Sequence, residues 1–363
     1  MSTEHRYCVI MAGGVGSRFW PMSRTEKPKQ FIDILGTGET LLQSTYRRVS
    51  AFCPPENIII VANARYARLI REQLPALPER NILGEPSRRD TAPCVAYASY
   101  KIWLRDKEAV IAVVPSDHLI TKEDAFRQTM ESAYACAADN GKLLTLGIKP
   151  TRPDTGYGYI QFDSTEKPNP YGFVKVKTFT EKPNLEMANV FVNSGEFAWN
   201  SGMFIWRAES ILDAFDTYQP EIISLFKEDP EAYDTDREQA FIEGVYATCT
   251  AISIDYGIME HAQNVYMTSA DLGWSDLGTW VSLYENSVKD KKKNVVIGKN
   301  TMLFDTRNCV INCPNEKLVV LGSVKDLIIS EYDDMLLICK MDEEQKIKHF
   351  VNEISIEKGD KFL

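Results

Sequence analysis

The chain has 363 residues, of which 44% are hydrophobic and 25% charged, and its formal net charge is −10 at pH 7. This length predicts more than one domain, and the composition is typical of a globular protein. The negative charge argues against a general nucleic-acid binder, and no apolar run reaches membrane-spanning length. An anionic substrate would therefore need a local basic patch.

The N-terminus and the cysteines indicate a cytoplasmic protein. The opening residues, MSTEHRY, lack the basic and apolar regions of a signal peptide. The eight cysteines are scattered, and only Cys309 and Cys313 lie close together, which favours buried thiols in a reducing compartment over a zinc site. We therefore expect neither membrane nor nucleic-acid partners.

The first predicted element is a strand followed by a glycine-rich loop. The apolar run at residues 7–11 has the length of a buried strand, and Gly13, Gly14 and Gly16 follow it. Backbone N–H groups exposed in such a turn bind anions, and glycine lets the backbone approach closely. A plain strand-to-helix turn is the alternative.

Positive charge after the loop favours phosphate binding. Arg18, Arg24, Lys27 and Lys29 follow within 13 residues of Gly16, with only Glu26 to offset them. The loop fits neither the phosphate loop of P-loop enzymes nor the dinucleotide fingerprint, because Ser-Arg-Phe follows its last glycine. We interpret residues 7–31 as a binding segment for a nucleoside triphosphate.

Up to residue 150 the pattern alternates strands and helices. The predicted strands are residues 57–62, 81–83, 109–114 and 142–147, and the predicted helices are residues 40–52, 65–74, 91–105 and 123–139. This alternation predicts a Rossmann-like α/β fold with a mixed, mostly parallel sheet and helices on both faces. Ligands of such sheets bind beyond the carboxyl ends of the strands, which brings residues 13–29, 84–93 and 115–118 to one rim.

The remainder of the chain predicts a second, smaller domain. Residues 155–162 and 171–180 are predicted strands, and residues 209–216 and 236–246 are predicted helices. A charged run, KDKKK at residues 289–293, is interpreted as a linker. Five short apolar segments between residues 295 and 338 then predict a small all-β domain, closed by a helix at 342–352. We therefore expect a catalytic domain over 1–288 and a β domain over 289–363 that serves stability or oligomer contact.

Two carboxylates are candidate metal ligands. Asp117 directly follows a predicted buried strand, and Asp276 lies in the motif GWSDLGTW at residues 273–280. Mg²⁺ takes one or two carboxylates together with phosphate oxygens, so the pair would suit metal-assisted phosphoryl or nucleotidyl transfer. The alternative for each residue is an aspartate that caps the following turn or helix.

Three short motifs suit sugar recognition. Glu181-Lys182-Pro183 offers a hydrogen-bond acceptor and a cation, and Trp199-Asn200-Ser201-Gly202 places an amide beside an aromatic ring. Gly156-Tyr157-Gly158-Tyr159 offers exposed backbone and ring faces. A surface turn, a buried turn and a β-bulge are the respective alternatives.

Taken in order, these motifs resemble the mannose-1-phosphate guanylyltransferase family (GDP-mannose pyrophosphorylases), within the sugar-phosphate nucleotidyltransferases. The matching segments are MAGGVGSRFWPMSRTEKPKQF at 11–31, GEPSRRDTAP at 84–93, VPSDH at 114–118, GYGYIQ at 156–161, FTEKP at 179–183, WNSGMF at 199–204, IDYGIME at 254–260 and GWSDLGTW at 273–280. The resemblance implies a tail that forms a left-handed β-helix-like domain, and a homo-oligomer, expected to be a dimer.

The resemblance also assigns site residues. It implies that the nucleotide-binding residues are Gly13, Gly14, Gly16, Ser17, Arg18, Lys29, Glu85, Pro86 and Thr91. It implies that the sugar phosphate contacts Gly156, Glu181, Lys182 and Asn200, and that Asp255 orders the site. The catalytic residues would be Arg18, Lys29, Asp117, Lys182 and Asp276, with Asp117 and Asp276 holding an essential Mg²⁺.

The implied reaction transfers GMP from GTP to mannose 1-phosphate and gives GDP-mannose and pyrophosphate without a covalent intermediate. One departure affects base selection, because Asp90 stands where the family usually has Asn. This acid could accept guanine N–H groups or could cap the following helix. The alternative functions are a nucleotidyltransferase for another sugar 1-phosphate or base, and a non-catalytic subunit that senses sugar nucleotides.

Overall fold

A computed structural model describes residues 2–139 and 141–363. These residues form two compact units, each built from separate parts of the chain. The first unit contains the described residues up to Gly13, together with Thr45–Ser116 and Ile120–Trp274, and the second contains Gly14–Ser44, Asp117–Leu119 and Ser275–Leu363. The predicted boundary between residues 288 and 289 falls inside the second unit and stays a prediction.

The strands up to residue 275 are mostly short and buried. They are β1 (Arg6–Met11), β2 (Ile58–Asn63), β3 (Ile82–Glu85), β4 (Val110–Pro115), β5 (Leu119–Ile120), β6 (Leu143–Ile148), β7 (Tyr159–Phe162), β8 (Val174–Thr180), β9 (Phe197–Arg207), β10 (Val265–Ser269) and β11 (Trp274–Ser275).

The first four helices over the same part of the chain lie between strands, whereas α6, α7 and α8 follow one another without an intervening strand. They are α1 (Leu41–Val49), α2 (Ala67–Gln73), α3 (Thr91–Arg105), α4 (Glu123–Asp139), α5 (Leu185–Ser194), α6 (Ala208–Tyr218), α7 (Pro220–Lys227) and α8 (Glu238–Thr248).

The first unit is organised around a mixed sheet with strand order β3-β2-β1-β4-β9-β6-β10-β8-β7. Strands β3, β2, β1 and β4 are parallel neighbours, whereas β9 runs antiparallel to both β4 and β6. Strands β1, β2 and β4 are almost continuously apolar because helices cover both faces of the sheet there. Their side chains pack with those of α3 in the core of this unit.

The predicted alternation of strands and helices is confirmed through residue 148. Further on, β9, β10, β11, α5 and α7 were not predicted, and one predicted strand began too early. The central strand β9 was not predicted, because its WNSGMF sequence was interpreted as a binding turn. Residues 155–158 are not part of a strand, since β7 begins at Tyr159. There the Gly156 N–H donates to Asp154 Oδ1 at 2.8 Å, which forms a turn in place of a strand ladder.

The second unit contains the predicted small β domain. Its strands are β12 (Val295–Ile297), β13 (Thr301–Phe304), β14 (Val310–Asn312), β15 (Val319–Gly322), β16 (Leu327–Tyr332) and β17 (Met335–Lys340). Strands β12, β14 and β16 pair in parallel in one sheet, and β13 pairs in parallel with β15 in another. Strands β12 to β16 therefore alternate between two sheets, as in a β-helix, and β17 pairs antiparallel with β16. Only β13 among them was not predicted.

Apolar side chains from both ends of the sequence form the main core of the second unit. Phe19 packs against Trp280 with ring centroids 5.2 Å apart, and both are fully buried in a cluster that includes Val310 and Ile328. Helix α9 (Trp280–Asn286) contributes to the same cluster. The terminal helix α10 (Ile347–Lys358) starts later than predicted, because a 3-10 turn occupies Met341–Lys346.

Two further sequence expectations concern cysteines and membranes. All eight cysteines are buried thiols, and no disulfide joins any of them in residues 2–139 and 141–363. In the same described part of the chain, none of the helices combines the length and apolar character needed to span a bilayer.

Candidate functional site

The glycine-rich loop is held by side chains that follow it in the sequence. Gly14 and Gly16 have φ values of +89° and +72°, a region that favours glycine. A Cβ atom on Gly16 would lie 2.9 Å from Cγ of Lys29, so glycine also allows the loop to pack against that lysine. The carbonyl of Gly14 accepts from Gln30 Nε2 at 3.2 Å, and the carbonyl of Val15 accepts from the Ser23 hydroxyl.

The loop does not lead into an α-helix. A 3-10 turn at Ser17–Phe19 follows Gly16, and Arg18 on this turn is exposed, as are Gly13 and Gly14. The alternative of a strand-to-helix turn is therefore wrong. Exposed backbone N–H groups beside an exposed guanidinium are a suitable arrangement for binding an anion.

Lys29 joins the two candidate metal ligands. Its side chain is 8% exposed, and its ammonium lies 3.0 Å from Asp117 Oδ2. The same ammonium donates to the carbonyl oxygens of Asp276 and Leu277, each at 3.0 Å. An ammonium has three donor hydrogens, so these three acceptors satisfy it. Lys29 would have to release one of them in order to contact a phosphate.

The environment of Asp117 favours its charged form. Burial by itself would raise the pKa of this carboxyl group, but the Lys29 ammonium and His118 together hold that pKa below its ordinary value of 3.8. The side chain is still 23% exposed, so its oxygens remain accessible to a ligand. Asp117 is therefore an accessible carboxylate at neutral pH.

Asp276 lies in a tight turn before helix α9. Its Oδ1 accepts from the Gly278 N–H at 3.1 Å, and a Cβ on Gly278 would lie 2.5 Å from its Oδ2. Leu277 has a φ of +42°, which is strained for a branched residue, and Thr279 caps α9 through a capping box with Ser282. The alternative prediction made Asp276 the cap of this helix, but Thr279 supplies the cap.

The two aspartates suit Mg²⁺ better than a metal that needs a closed protein site. In the described residues, no three His, Cys, Asp or Glu side chains come close enough to enclose a metal. Mg²⁺ typically takes one or two carboxylates and completes its octahedral shell with water and substrate phosphate oxygens. Asp117 and Asp276 are residues of the type that could supply those carboxylates, and Lys29 contacts the side chain of the first and the backbone of the second.

Glu85 ends strand β3 and is held by a buried tyrosine. The Tyr246 hydroxyl donates to Glu85 Oε1 at 2.8 Å. Burial raises the pKa of Glu85 to about 7, although the Tyr246 hydrogen bond and the Arg88 charge oppose the increase. Glu85 can therefore exchange its proton near neutral pH, and Pro86 beside it is half-buried.

Asp90 caps helix α3. Its Oδ1 accepts from the Thr91 N–H at 2.9 Å, which supports the capping interpretation of this departure from the family pattern. Its φ of +65° and ψ of −164° lie in a region used mainly by glycine, at a cost of about 1–3 kcal/mol. Hydrogen bonds from the segment 252–254 hold the residues on both sides of Asp90. The Ile252 N–H donates to the Arg89 carbonyl, and the Ile254 N–H donates to Thr91 Oγ1.

Asn200 and Asp255 form a hydrogen-bonded pair in the first unit. Asn200 Nδ2 donates to Asp255 Oδ1 at 2.7 Å, and Asn200 Oδ1 accepts from the Gly202 N–H at 3.1 Å. The register of β9 against β6 shifts at this point, and such a bulge redirects a side chain. Burial is the main cause that raises the pKa of Asp255 to about 6, with the Asn200 hydrogen bond opposing the increase and the charge on Glu181 adding to it.

Glu181 packs against a glycine of the neighbouring strand region. A Cβ on Gly158 would meet Glu181 Oε2 and would lie 3.4 Å from Asn200 Cβ, so glycine lets the Glu181 carboxylate rest against the backbone at this position. The next residue, Lys182, is exposed, has a φ of +45°, and places its ammonium 3.3 Å from Glu181 Oε1. Gly156 is exposed in the turn described above.

The structure brings the predicted residues together in two sets, one in each unit. Lys29, Asp117 and Asp276 make direct contacts in the second unit, and Glu181, Asn200 and Asp255 form a cluster in the first. Sequence reasoning missed Tyr246 and the packing role of Gly158. Tyr246 lies in an ordinary amphipathic helix and gave no signal, whereas the G-Y-G-Y pattern did mark Gly158.

A mixed α/β sheet whose first strand ends in a glycine-rich loop is the architecture of a nucleotide-binding α/β protein. The family model for nucleotidyl transferases matches residues 7–293, and a model described as a MannoseP isomerase/GMP-like beta-helix domain matches residues 299–354. The chain therefore belongs to the nucleotidyl transferase family.

Relatives with this architecture match nearly the whole chain. The mannose-1-phosphate guanylyltransferase of Escherichia coli is 34% identical over 354 residues, which is 96% of this chain and 75% of that protein. The alginate biosynthesis protein AlgA of Pseudomonas aeruginosa is 35% identical over 349 residues, 95% of this chain and 71% of that protein. A solved structure described as mannose-1-phosphate geranyltransferase from Thermus thermophilus has a TM-score of 0.86 at 29% identity, covering 97% of this chain and 99% of that one.

Proposed function

We propose that this protein transfers GMP from GTP to mannose 1-phosphate and releases GDP-mannose and pyrophosphate. The observation that carries the proposal is the contact of one buried ammonium, that of Lys29, with both the Asp117 carboxylate and the backbone of Asp276. This contact holds the Asp117 carboxylate and the backbone of the Asp276 turn, and the same lysine packs against Gly16 of the glycine-rich loop. The names of the relatives supply the substrates.

The reaction is a direct displacement at the α-phosphorus of GTP. An oxygen of the mannose 1-phosphate dianion forms the new P–O bond, and the bond to the pyrophosphate oxygen breaks on the opposite side. No proton has to leave the nucleophile, because that phosphate is already largely ionised near pH 7. The reaction therefore needs no general base and no covalent enzyme intermediate.

The residues of this chain orient the substrates and balance their charge. Arg18 and the backbone of Gly13–Ser17 bind the triphosphate, and Lys182 binds the sugar phosphate. Asp117 and Asp276 would hold Mg²⁺, which would neutralise negative charge on the phosphates when bound. Lys29 keeps both aspartates in position.

Specificity belongs to the first unit. Glu85 accepts N–H groups of guanine in its ionised form, with Pro86 and Thr91 beside the base. Gly156, Glu181 and Asn200 contact the mannose ring. The expected dimer, the cytoplasmic location and the lack of nucleic-acid and membrane partners stay predictions.

A substrate matrix tests the proposal directly. Pyrophosphate release is measured with each of the four nucleoside triphosphates against mannose 1-phosphate and glucose 1-phosphate, with and without Mg²⁺. The proposal expects GTP with mannose 1-phosphate to have the highest kcat/KM, and expects EDTA to abolish turnover. A higher value for another pair would replace the substrate assignment, and binding of GDP-mannose without pyrophosphate release would indicate a sensing subunit.

A substitution at Asp276 tests the proposed metal ligand separately. Asp276→Asn should lower kcat by about 100-fold or more while GTP affinity changes little, because the amide is a poor Mg²⁺ ligand. The control is Asp271→Asn, since Asp271 is exposed and pairs with Lys122. Unchanged turnover in Asp276→Asn would contradict the assignment.

A further inference from the structure

The C-terminal β domain contributes one carboxylate to the turn that carries Asp276. Glu344 lies in the 3-10 turn Met341–Lys346, and its Oε2 accepts from the backbone N–H of Val281 at 2.8 Å. Val281 is in the first turn of helix α9, directly after the Asp276 turn. The first N–H groups of a helix have no partner within it, so an acceptor there fixes where the helix begins.

Glu344 also contacts the residue that caps this helix. The Thr279 hydroxyl hydrogen-bonds to Glu344, while Thr279 Oγ1 accepts from the Ser282 N–H at 3.1 Å. One carboxylate therefore engages two neighbouring positions of the helix start. Glu344 is half-buried, which makes these hydrogen bonds stronger than they would be in water.

The Asp276 turn is consequently held on both sides within the second unit. On its N-terminal side the Lys29 ammonium holds the carbonyls of Asp276 and Leu277. On its C-terminal side Glu344 holds the helix start. The strained φ of +42° at Leu277 needs such restraint, since an unrestrained leucine would relax to negative φ.

Glu344 also interacts electrostatically with Arg18. Burial, the largest effect, raises the pKa of Glu344, and the Arg18 guanidinium is among the groups that oppose the increase. Glu344 therefore interacts with two parts of the candidate site. It holds the helix start that follows Asp276, and its charge interacts with that of Arg18. The neighbouring Glu343 instead pairs with Lys346 at 3.1 Å within its own turn.

We propose that Glu344 is a positioning residue for the metal-binding turn, so that the C-terminal domain completes the catalytic unit in addition to stabilising it. The proposal rests on the proposed function insofar as Asp276 holds Mg²⁺. The role proposed for Glu344 is exerted through the backbone and requires no contact with substrate or metal. Glu344 fixes the start of α9, and through it the backbone that presents the Asp276 carboxylate.

The test compares Glu344→Met, which keeps the side-chain volume without an acceptor, with Glu344→Gln, whose amide oxygen can still accept from Val281. Glu343→Met is the matched control. Amide hydrogen exchange of the segment 275–283 is measured in the full-length, ligand-free protein, and the half-saturating Mg²⁺ concentration and kcat are measured separately. Cooperative thermal unfolding verifies that each variant is folded, and Glu344→Ala replaces the Met variant if that protein does not fold.

Glu344→Met should accelerate exchange in this segment by about 10-fold and raise the half-saturating Mg²⁺ concentration by a similar factor. Glu344→Gln should restore both values to within about 3-fold, and Glu343→Met should change neither. Folded Met and Ala variants with unaltered exchange would overturn the proposal. Because exchange needs no turnover, it tests the positioning role even if the wild-type protein fails to make GDP-mannose, an outcome that would refute only the proposed function.

Discussion

The Lys29 ammonium lies 3.0 Å from Asp117 Oδ2 and at the same distance from the carbonyl oxygens of Asp276 and Leu277. Positions 117 and 276 are 159 residues apart in the sequence, and one buried side chain connects them. This arrangement makes Lys29 a structural requirement for the pair of carboxylates as well as a source of positive charge.

Lys29→Met should lower kcat by about 100-fold or more, because it removes the group that contacts the Asp117 carboxylate and the backbone of Asp276. It should also lower the free energy of unfolding by about 1–3 kcal/mol at pH 7, since Asp117 loses its partner. The pKa of Asp117 is depressed, so its contribution to stability is present above its ordinary pKa of 3.8 and is lost as pH falls through the folded value. Denaturant unfolding at pH 7 and pH 3 should show a smaller loss at pH 3.

The control for this variant is Lys27→Met, two residues earlier in the same segment. Lys27 has only a partly buried side chain and makes none of the contacts of Lys29 described above. We expect its kcat to remain within about 3-fold of the wild-type value. Equal losses in the two variants would show that the general positive charge of the segment matters more than the Lys29 contacts.

Glu85 should make GTP recognition depend on pH. Its pKa is raised from 4.5 to about 7, so the ionised carboxylate that we propose as the acceptor of guanine N–H groups becomes populated as pH rises through that value. The kcat/KM for GTP should therefore rise with an inflection near pH 7. The pH dependence of the folding free energy has the opposite sign. A carboxyl group with a raised pKa favours folding most below pH 4.5, and this contribution is lost as pH approaches 7.

Two variants separate the Glu85 inflection from the ionisation of the substrates. Glu85→Gln should lose it, and Tyr246→Phe should move it to higher pH, because the Tyr246 hydroxyl stabilises the charged form. An inflection that persists in Glu85→Gln would assign it to the substrates.

Asp255 should act on the sugar side of the reaction. Above a pH of about 6 its carboxylate is ionised and accepts the Asn200 amide hydrogen, which fixes the orientation of that amide. Asp255→Asn should raise KM for mannose 1-phosphate by about 10-fold with less effect on kcat, because the amide of Asn200 loses its charged partner. Initial-rate kinetics at pH 8 measure both parameters.

Glu260→Gln is the control on the same segment, because Glu260 is exposed. It should keep KM for both substrates near the wild-type values. If Asp255→Asn raised KM for GTP and for mannose 1-phosphate equally, Asp255 would act on the whole fold and not on Asn200.

Gly16→Ala should disturb the phosphate-binding loop through Lys29. The new methyl group meets Lys29 Cγ at 2.9 Å and occupies a φ of +72°, so it adds a clash to backbone strain. Gly38→Ala is matched for strain, since Gly38 has a φ of +89° but nothing within 4 Å of its Cβ position. We expect kcat/KM for GTP to fall by about 10-fold or more only in Gly16→Ala, with destabilisation of about 1 kcal/mol in both.

The sequence predicted the N-terminal half of the sheet well because β1, β2 and β4 are buried on both faces and stand out as apolar runs. It failed at β9, where Asn200, Ser201 and Gly202 interrupt the apolar pattern. That strand is bulged at these residues and pairs with β6, β4 and β7, contacts that are remote in sequence. Local pattern cannot reveal a strand whose irregularity is compensated by distant partners.

The residues of the candidate site also fall into those that the sequence identified and those that only the structure revealed. Glycines and charged residues in recognisable motifs identified Lys29, Asp117 and Asp276 from sequence. The tyrosine that supports Glu85 lies 161 positions away on α8, where it resembles any other buried aromatic residue. Supporting contacts of this kind depend on tertiary packing, so they became visible only in the structure.

Phe19 and Trp280 share a core with the strands after residue 294, and this limits which segments can be exchanged between relatives. A residue from the glycine-rich segment is buried among side chains that belong to the last quarter of the sequence. Exchanging the tail for that of a distant relative would therefore change the surface against which the glycine-rich segment folds. Functional chimaeras should require matched substitutions at both ends of the chain, so the two ends are constrained to evolve together.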